Sequence, residues 1–158
     1  EVFRDEYDAT REFVRLRQDP TTIYHLGRDE YEDGVYQFSM MWDEPLPYIQ
    51  FPIENYLGDS WTFSTGATLS DTTSMTLTGH IDIDAATVDL VSAELYGTFR
   101  GCYVHHLYAE FIMFYETTPV DTGWTHQIMW LAPGVGPVRI VRQDEGGADT
   151  LSVYDWNL

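Results

Sequence analysis

The sequence predicts a mainly β protein: a curved antiparallel meander sheet or half-barrel, with little helix, in one domain over residues 1–158. Three observations carry this. Short runs rich in Thr, Val, Ile and aromatic residues recur along the chain, several with strict alternation. Pro and Gly punctuate the gaps between those runs. No low-complexity segment or second composition regime divides the chain.

Taken in order, Arg11 to Gln18 alternates imperfectly and stops at Asp19-Pro20. Thr21 to Leu26 is short and β-prone, and Arg28 to Gly34 reads as a turn-rich acidic loop. Val35 to Trp42 is a strand with Val35, Gln37, Ser39 and Met41 on one face, Tyr36, Phe38, Met40 and Trp42 on the other. Pro45, Pro47 and Pro52 forbid a helix next and imply a linker of about ten residues. Trp61 to Leu69 and Thr73 to Ile83 are Thr-rich strands joined by a turn at Asp71, with Ile81 and Ile83 inward and His80, Asp82 and Asp84 outward.

Phe99 to Tyr115 satisfies two templates. Val104, Leu107, Tyr108, Phe111, Ile112 and Tyr115 form a helical stripe. Aromatic density and apolar residues on both alternating faces equally fit an inner strand, which is favoured because the neighbouring segments are β-like. Trp124 to Leu131, Pro137 to Arg142 and Thr150 to Trp156 complete the series, set off by Gly123, Pro133-Gly134 and Gly146-Gly147. A run of such strands implies an antiparallel meander.

The chain carries 26 acidic residues against 8 basic ones, all Arg, for a formal charge of −18. That balance repels phosphate backbones and anionic lipid, so no nucleic-acid partner is expected. A GC-rich genome or a high-salt habitat would each produce it without any dedicated acidic function. Aromatic residues make up 15% of the chain, too many for a disordered polyanion. No run is long and apolar enough for a membrane helix, so no direct membrane span is expected. The chain begins at Glu1 with no evident signal peptide and is expected to be a mature or truncated form. Cys102 is alone and reads as a small buried apolar residue.

No catalytic constellation emerges. Gly58-Asp59-Ser60 resembles a lipase nucleophile block, but the Asp-x-x-His that such a serine needs is missing. Gly134-Val135-Gly136 is followed by Pro137 and a β-like run, not by a phosphate-binding helix, so its glycines are expected to relax a tight loop. His80, Asp82 and Asp84 share a strand face, yet such ligands seldom suffice without help from elsewhere; His105 and His106 point to opposite faces. The loop from Asp144 to Asp149 lacks EF-hand spacing. Neither a metal nor a cofactor is therefore expected. The five tryptophans, Trp42, Trp61, Trp124, Trp130 and Trp156, could stack on sugars, although core and cross-strand packing is the more ordinary role.

Certain segments go beyond pattern. Phe51-Pro52-Ile53 followed by Gly58-Asp59-Ser60-Trp61, and Trp130 through Pro133, Gly134 and Gly136 to Ile140, resemble the two signatures of a bacterial secreted or lipoprotein-like β domain of unknown function. Pro45 to Tyr48 matches the proline-rich lead-in before the first signature, and Thr87-Val88, Gly97-Thr98-Phe99 and Cys102 to Val104 match the segments between the two, in order, so the resemblance covers residues 45–156. The family's earlier opening strand is missing, and Phe99 to Tyr115 is unusually aromatic. The resemblance implies a lipoprotein-carrier-like half-barrel outside the cytoplasm (periplasm, cell surface or secreted) and no catalytic residues. In it Trp61 and Trp130 would pack the core, while Gly58, Gly134 and Gly136 would serve turns.

The expected function is accordingly a non-enzymatic extracytoplasmic accessory or interaction domain, engaging a protein partner or larger assembly. Its anchors would be aromatic: Tyr36, Phe38 and Trp42 on one strand, and Tyr103 with His105 or Tyr108 with His106 on another. A carrier for an apolar ligand or lipid is the second reading, and a carbohydrate-binding or carbohydrate-active protein the third.

Overall fold

The computed structural model describes residues 2–4, 10–32, 34–92 and 97–151. They form eleven strands: β1 (Val2–Arg4), β2 (Thr10–Gln18), β3 (Thr22–Glu32), β4 (Val35–Gln50), β5 (Ser60–Thr68), β6 (Thr73–Ile83), β7 (Val88–Ser92), β8 (Gly97–Tyr115), β9 (Thr118–Ala132), β10 (Gly136–Asp144) and β11 (Gly147–Leu151). One 3₁₀ turn, Ile53–Tyr56, is the only helical element among the described residues. The strands join edge to edge in chain order into a single open antiparallel sheet that does not close into a barrel. β7 does not break the meander. β6 ends with Ile83 opposite His105, and β7 resumes with Val88 opposite Cys102, so both run along β8 in nearly continuous register.

The segment Phe99 to Tyr115 is thus strand, and its double pattern has a physical cause: β8 is covered on both sides. Leu107, Ala109, Tyr103 and Phe111 pack into the main core, while Cys102 lies in a smaller cluster with Leu90, Ala132 and Val138. A bulge at Pro137/Arg139 lets Val138 and Ile140 of one strand reach different clusters. Cys102 is a free buried thiol, raised in pKa chiefly by that burial.

The main core forms because the end of β4 folds across the inner face of the sheet. Leu46, Tyr48, Ile49 and Ile53 meet Phe63, Leu77, Ile81, Leu107, Met129 and Ile140 there. Polar groups tie the same layers together. Trp61 Nε1 donates to the Pro47 carbonyl at 3.0 Å, and His105 Nε2 lies 2.7 Å from the Tyr48 carbonyl.

Three local expectations need correction. The proline-rich stretch is not a linker: Pro45 and Pro47 belong to β4, where irregular register around Tyr24, His25 and Gly27 accommodates residues without a backbone N–H. Arg28 to Glu32 is not a loop but the end of β3, its charges answered across the hairpins by the Arg15–Asp29 ion pair at 2.7 Å and by Arg28 over the Phe38 ring at 5.7 Å. Gly123 lies within β9 and not ahead of it; a Cβ there would come within 2.5 Å of the Phe111 ring, which covers the glycine from β8. The expected strand over Thr150 to Trp156 lies mostly outside the described residues.

Candidate functional site

Alternation along β6, β8 and β9 sends one set of side chains into the core and the other to the outer face. The antiparallel registers then decide which outer residues meet. His80 of β6 stands opposite Tyr108 of β8, Tyr108 opposite His126 of β9, and His126 opposite Gln143 of β10. One step along the strands, Thr78, Glu110 and Trp124 form the next row, and on the other side Asp82 stands opposite His106.

The rings of the central row stand upright and face to face. His80 stacks on Tyr108 at 4.7 Å and 18°, and Tyr108 on His126 at 4.0 Å and 12°. His106 lies parallel to Tyr108 at 6.1 Å and 7°. Its Nδ1 is 3.1 Å from His126 Nε2, and its Nε2 is 3.4 Å from Asp84 Oδ1. The contact between the two imidazoles is a hydrogen bond in which one ring nitrogen donates and the other accepts, according to tautomer. His80 Nε2 is similarly 3.5 Å from Asp82 Oδ2. Burial above all, aided by charge on His106 and His80, holds the His126 imidazole below its usual pKa, while a hydrogen bond that its N–H donates to Gln143 opposes the shift.

Between this row and the next lies an open groove of about 490 Å³, lined by Thr78, His80, Tyr108, Glu110 and Trp124 and floored by the strands at Gly79, Ala109 and Thr125. Trp124 is 43% exposed. Among the described residues no ion pair involves Glu110, and no group of three or more His, Cys, Asp or Glu is arranged to hold a metal ion.

The sequence-predicted anchors separate. Tyr36 is 53% exposed near the β3–β4 turn and meets Tyr31 edge-on at 5.6 Å. Phe38 lies half-buried beneath Arg28, and Trp42 packs against the main core with its Nε1 donating to His25 Nδ1 at 3.5 Å. These three therefore make no common patch. Tyr103 packs on the core side and His105 is fully buried, whereas Tyr108 and His106 do come together on the outer face. Of the signature residues, Phe51 and Trp61 pack against the main core, and Trp130 borders the smaller cluster beneath Arg139 at 5.1 Å. Pro133 is exposed in the β9–β10 turn, where Gly134 and Gly136 have φ of 71° and 101°; Gly58 has φ of 80°. Ser60 opens β5 opposite Asp82, a carboxylate and not a proton-accepting imidazole.

Sequence reasoning missed Glu110 and His126 as members of this site. Their signal was cross-strand: no spacing within β8 or β9 alone points to the groove, and only register unites these residues. Comparison with protein-family models, with curated proteins and with solved structures returns no match. No helix among the described residues is long and apolar enough to cross a membrane, which says nothing of strands.

Proposed function

We propose that this is a non-enzymatic extracytoplasmic interaction domain that engages a protein partner through the outer face of β6, β8 and β9. One observation carries the reading: the ordered row His80–Tyr108–His126 beside an open groove, on a stretch of the outer face that belongs to neither hydrophobic cluster. Side chains that serve only folding gain by burial. Here aromatic rings are held in fixed mutual geometry at the surface, which lowers the ordering cost of binding. The extracytoplasmic setting rests on the sequence resemblance of residues 45–156.

An apolar carrier would need an open apolar face. In this chain the inner face is filled by its own side chains, with Ile23, Ile49, Ile81 and Met129 at 0–1% exposure, which favours the outer face as the working surface. The test is a footprint. Isotope-labelled protein is titrated with the assembly that copurifies from the native source, and perturbed backbone amides are mapped. The reading expects them to centre on Thr78–Asp82, His106–Glu110 and Trp124–His126. A footprint on the Tyr36 end of the β3–β4 hairpin, or on the core side, would contradict it.

A further inference from the structure

The groove on this outer face has a charge pattern that names its occupant's chemistry. We infer that it takes the cationic side chain, guanidinium or ammonium, of a basic segment in the partner polypeptide. The inference rests on the outer face being the binding surface and specifies what binds there.

Four observations converge. Glu110 stands at the groove, exposed, with no ion pair among the described residues. Trp124, its cross-strand partner, is well exposed, and an indole face is the best cation–π surface among the side chains. β5, β6, β9 and β8 beyond Arg100 contain no Arg and no Lys; β10, the next strand out, carries Arg139, which lies over Trp130, and Arg142. The whole chain carries −18, so a basic partner is also favoured in encounter.

The alternatives fit less well. A sugar chain binds on open aromatic faces, but Tyr108, at the centre of the row, is stacked between His80 and His126 at 4.7 and 4.0 Å. An anion would face Glu110. A single small cation would leave most of a groove crossing three strands empty, whereas a peptide can also use Thr78 and the polar edges of His80 and Tyr108.

The probe is an eight-residue peptide of alternating Arg and Gly, compared with its citrulline counterpart, which keeps the shape and loses the charge. Binding to the full chain is followed by amide shifts and Trp fluorescence at low and high salt. The inference expects the Arg peptide to shift Thr78, Glu110 and Trp124, and the citrulline peptide to bind at least about tenfold more weakly. Glu110→Gln and Trp124→Leu should each weaken the Arg peptide about fivefold, with the folded spectrum retained. Glu145→Gln, an equal charge change in the β10–β11 turn, should change it less than about twofold. If Glu110→Gln and Glu145→Gln weaken binding equally, attraction is diffuse and the inference fails. If a cello-oligosaccharide shifts the same amides and the Arg peptide does not, the face remains a binding surface but its cationic occupant is wrong. Shifts elsewhere from both the native assembly and the peptide would overturn both readings.

Discussion

His105 and His106 are neighbours in sequence and share almost no environment. His105 points into the main core, is 0% exposed, and has its Nε2 against the Tyr48 carbonyl; Nδ1 has no hydrogen-bond partner among the described residues. His106 points outward among Asp84, His126 and Tyr108. The same division runs along β8: Leu107 and Ala109 hold the fold, while Tyr108 and Glu110 line the groove. Strand alternation alone lets one segment serve two purposes, and the two faces should respond to mutation in opposite ways.

The largest effect belongs to the inner face. Met129 is fully buried, so Met129→Ala should cost about 2–5 kcal/mol in denaturant unfolding. Groove binding should survive wherever the variant is folded. A loss below about 1 kcal/mol would show that the two faces are not divided as described.

Next is acid sensitivity. Burial, first of all, lowers the His105 pKa to about 4, against the Tyr48 hydrogen bond, with charge on His106 lowering it further. Its folded value lies below the ordinary 6.5, so between the two the unfolded chain binds more protons. Stability from this group is therefore complete above about pH 6.5 and is lost as pH falls towards about 4, in total on the order of 3 kcal/mol. His105→Gln should flatten that stretch of a stability–pH curve. An unchanged slope would mean that the outer imidazoles, and not the inner one, govern acid unfolding.

The β9–β10 turn belongs to neither face. Gly134→Val or Gly136→Val should cost about 1–3 kcal/mol, because both backbones occupy positive φ. Wild-type melting of both variants would remove the turn account. Smallest in stability is Tyr108→Ala. Loss of a cross-strand ring pair should cost about 1 kcal/mol or less, and a larger loss would mean that the outer row also builds the fold.

Much of the fold was legible because alternation is local. Val35 to Trp42, Trp61 to Leu69 and Thr73 to Ile83 were readable as strands, the second ending one residue earlier at Thr68, and Ile81 and Ile83 as inward residues, from spacing alone. Pro45 and Pro47 misled because irregular register in a strand leaves no mark in composition. Arg28 to Glu32 misled because its charges are balanced by partners on other strands. The site was half legible. Tyr108 and His106 could be placed on one face, but joining them to His80, Trp124 and His126 requires knowing which residues stand opposite across three strands. Tyr36 and Trp42 share a strand face on paper, yet that face descends from solvent into the core between them.

The central claim is that, over Leu107 to Glu110, the core-facing side of β8 maintains the fold and its outer side binds. Its most direct test is a paired measurement on the consecutive residues Leu107 and Tyr108, reading unfolding free energy and Arg-peptide affinity for each alanine variant. Leu107→Ala should lose about 2–5 kcal/mol of stability and keep its affinity within about twofold. Tyr108→Ala should lose about 1 kcal/mol or less and weaken binding about fivefold or more. If Leu107→Ala weakens binding as much as Tyr108→Ala in the folded protein, or if Tyr108→Ala leaves affinity intact, the division of labour across this strand is contradicted.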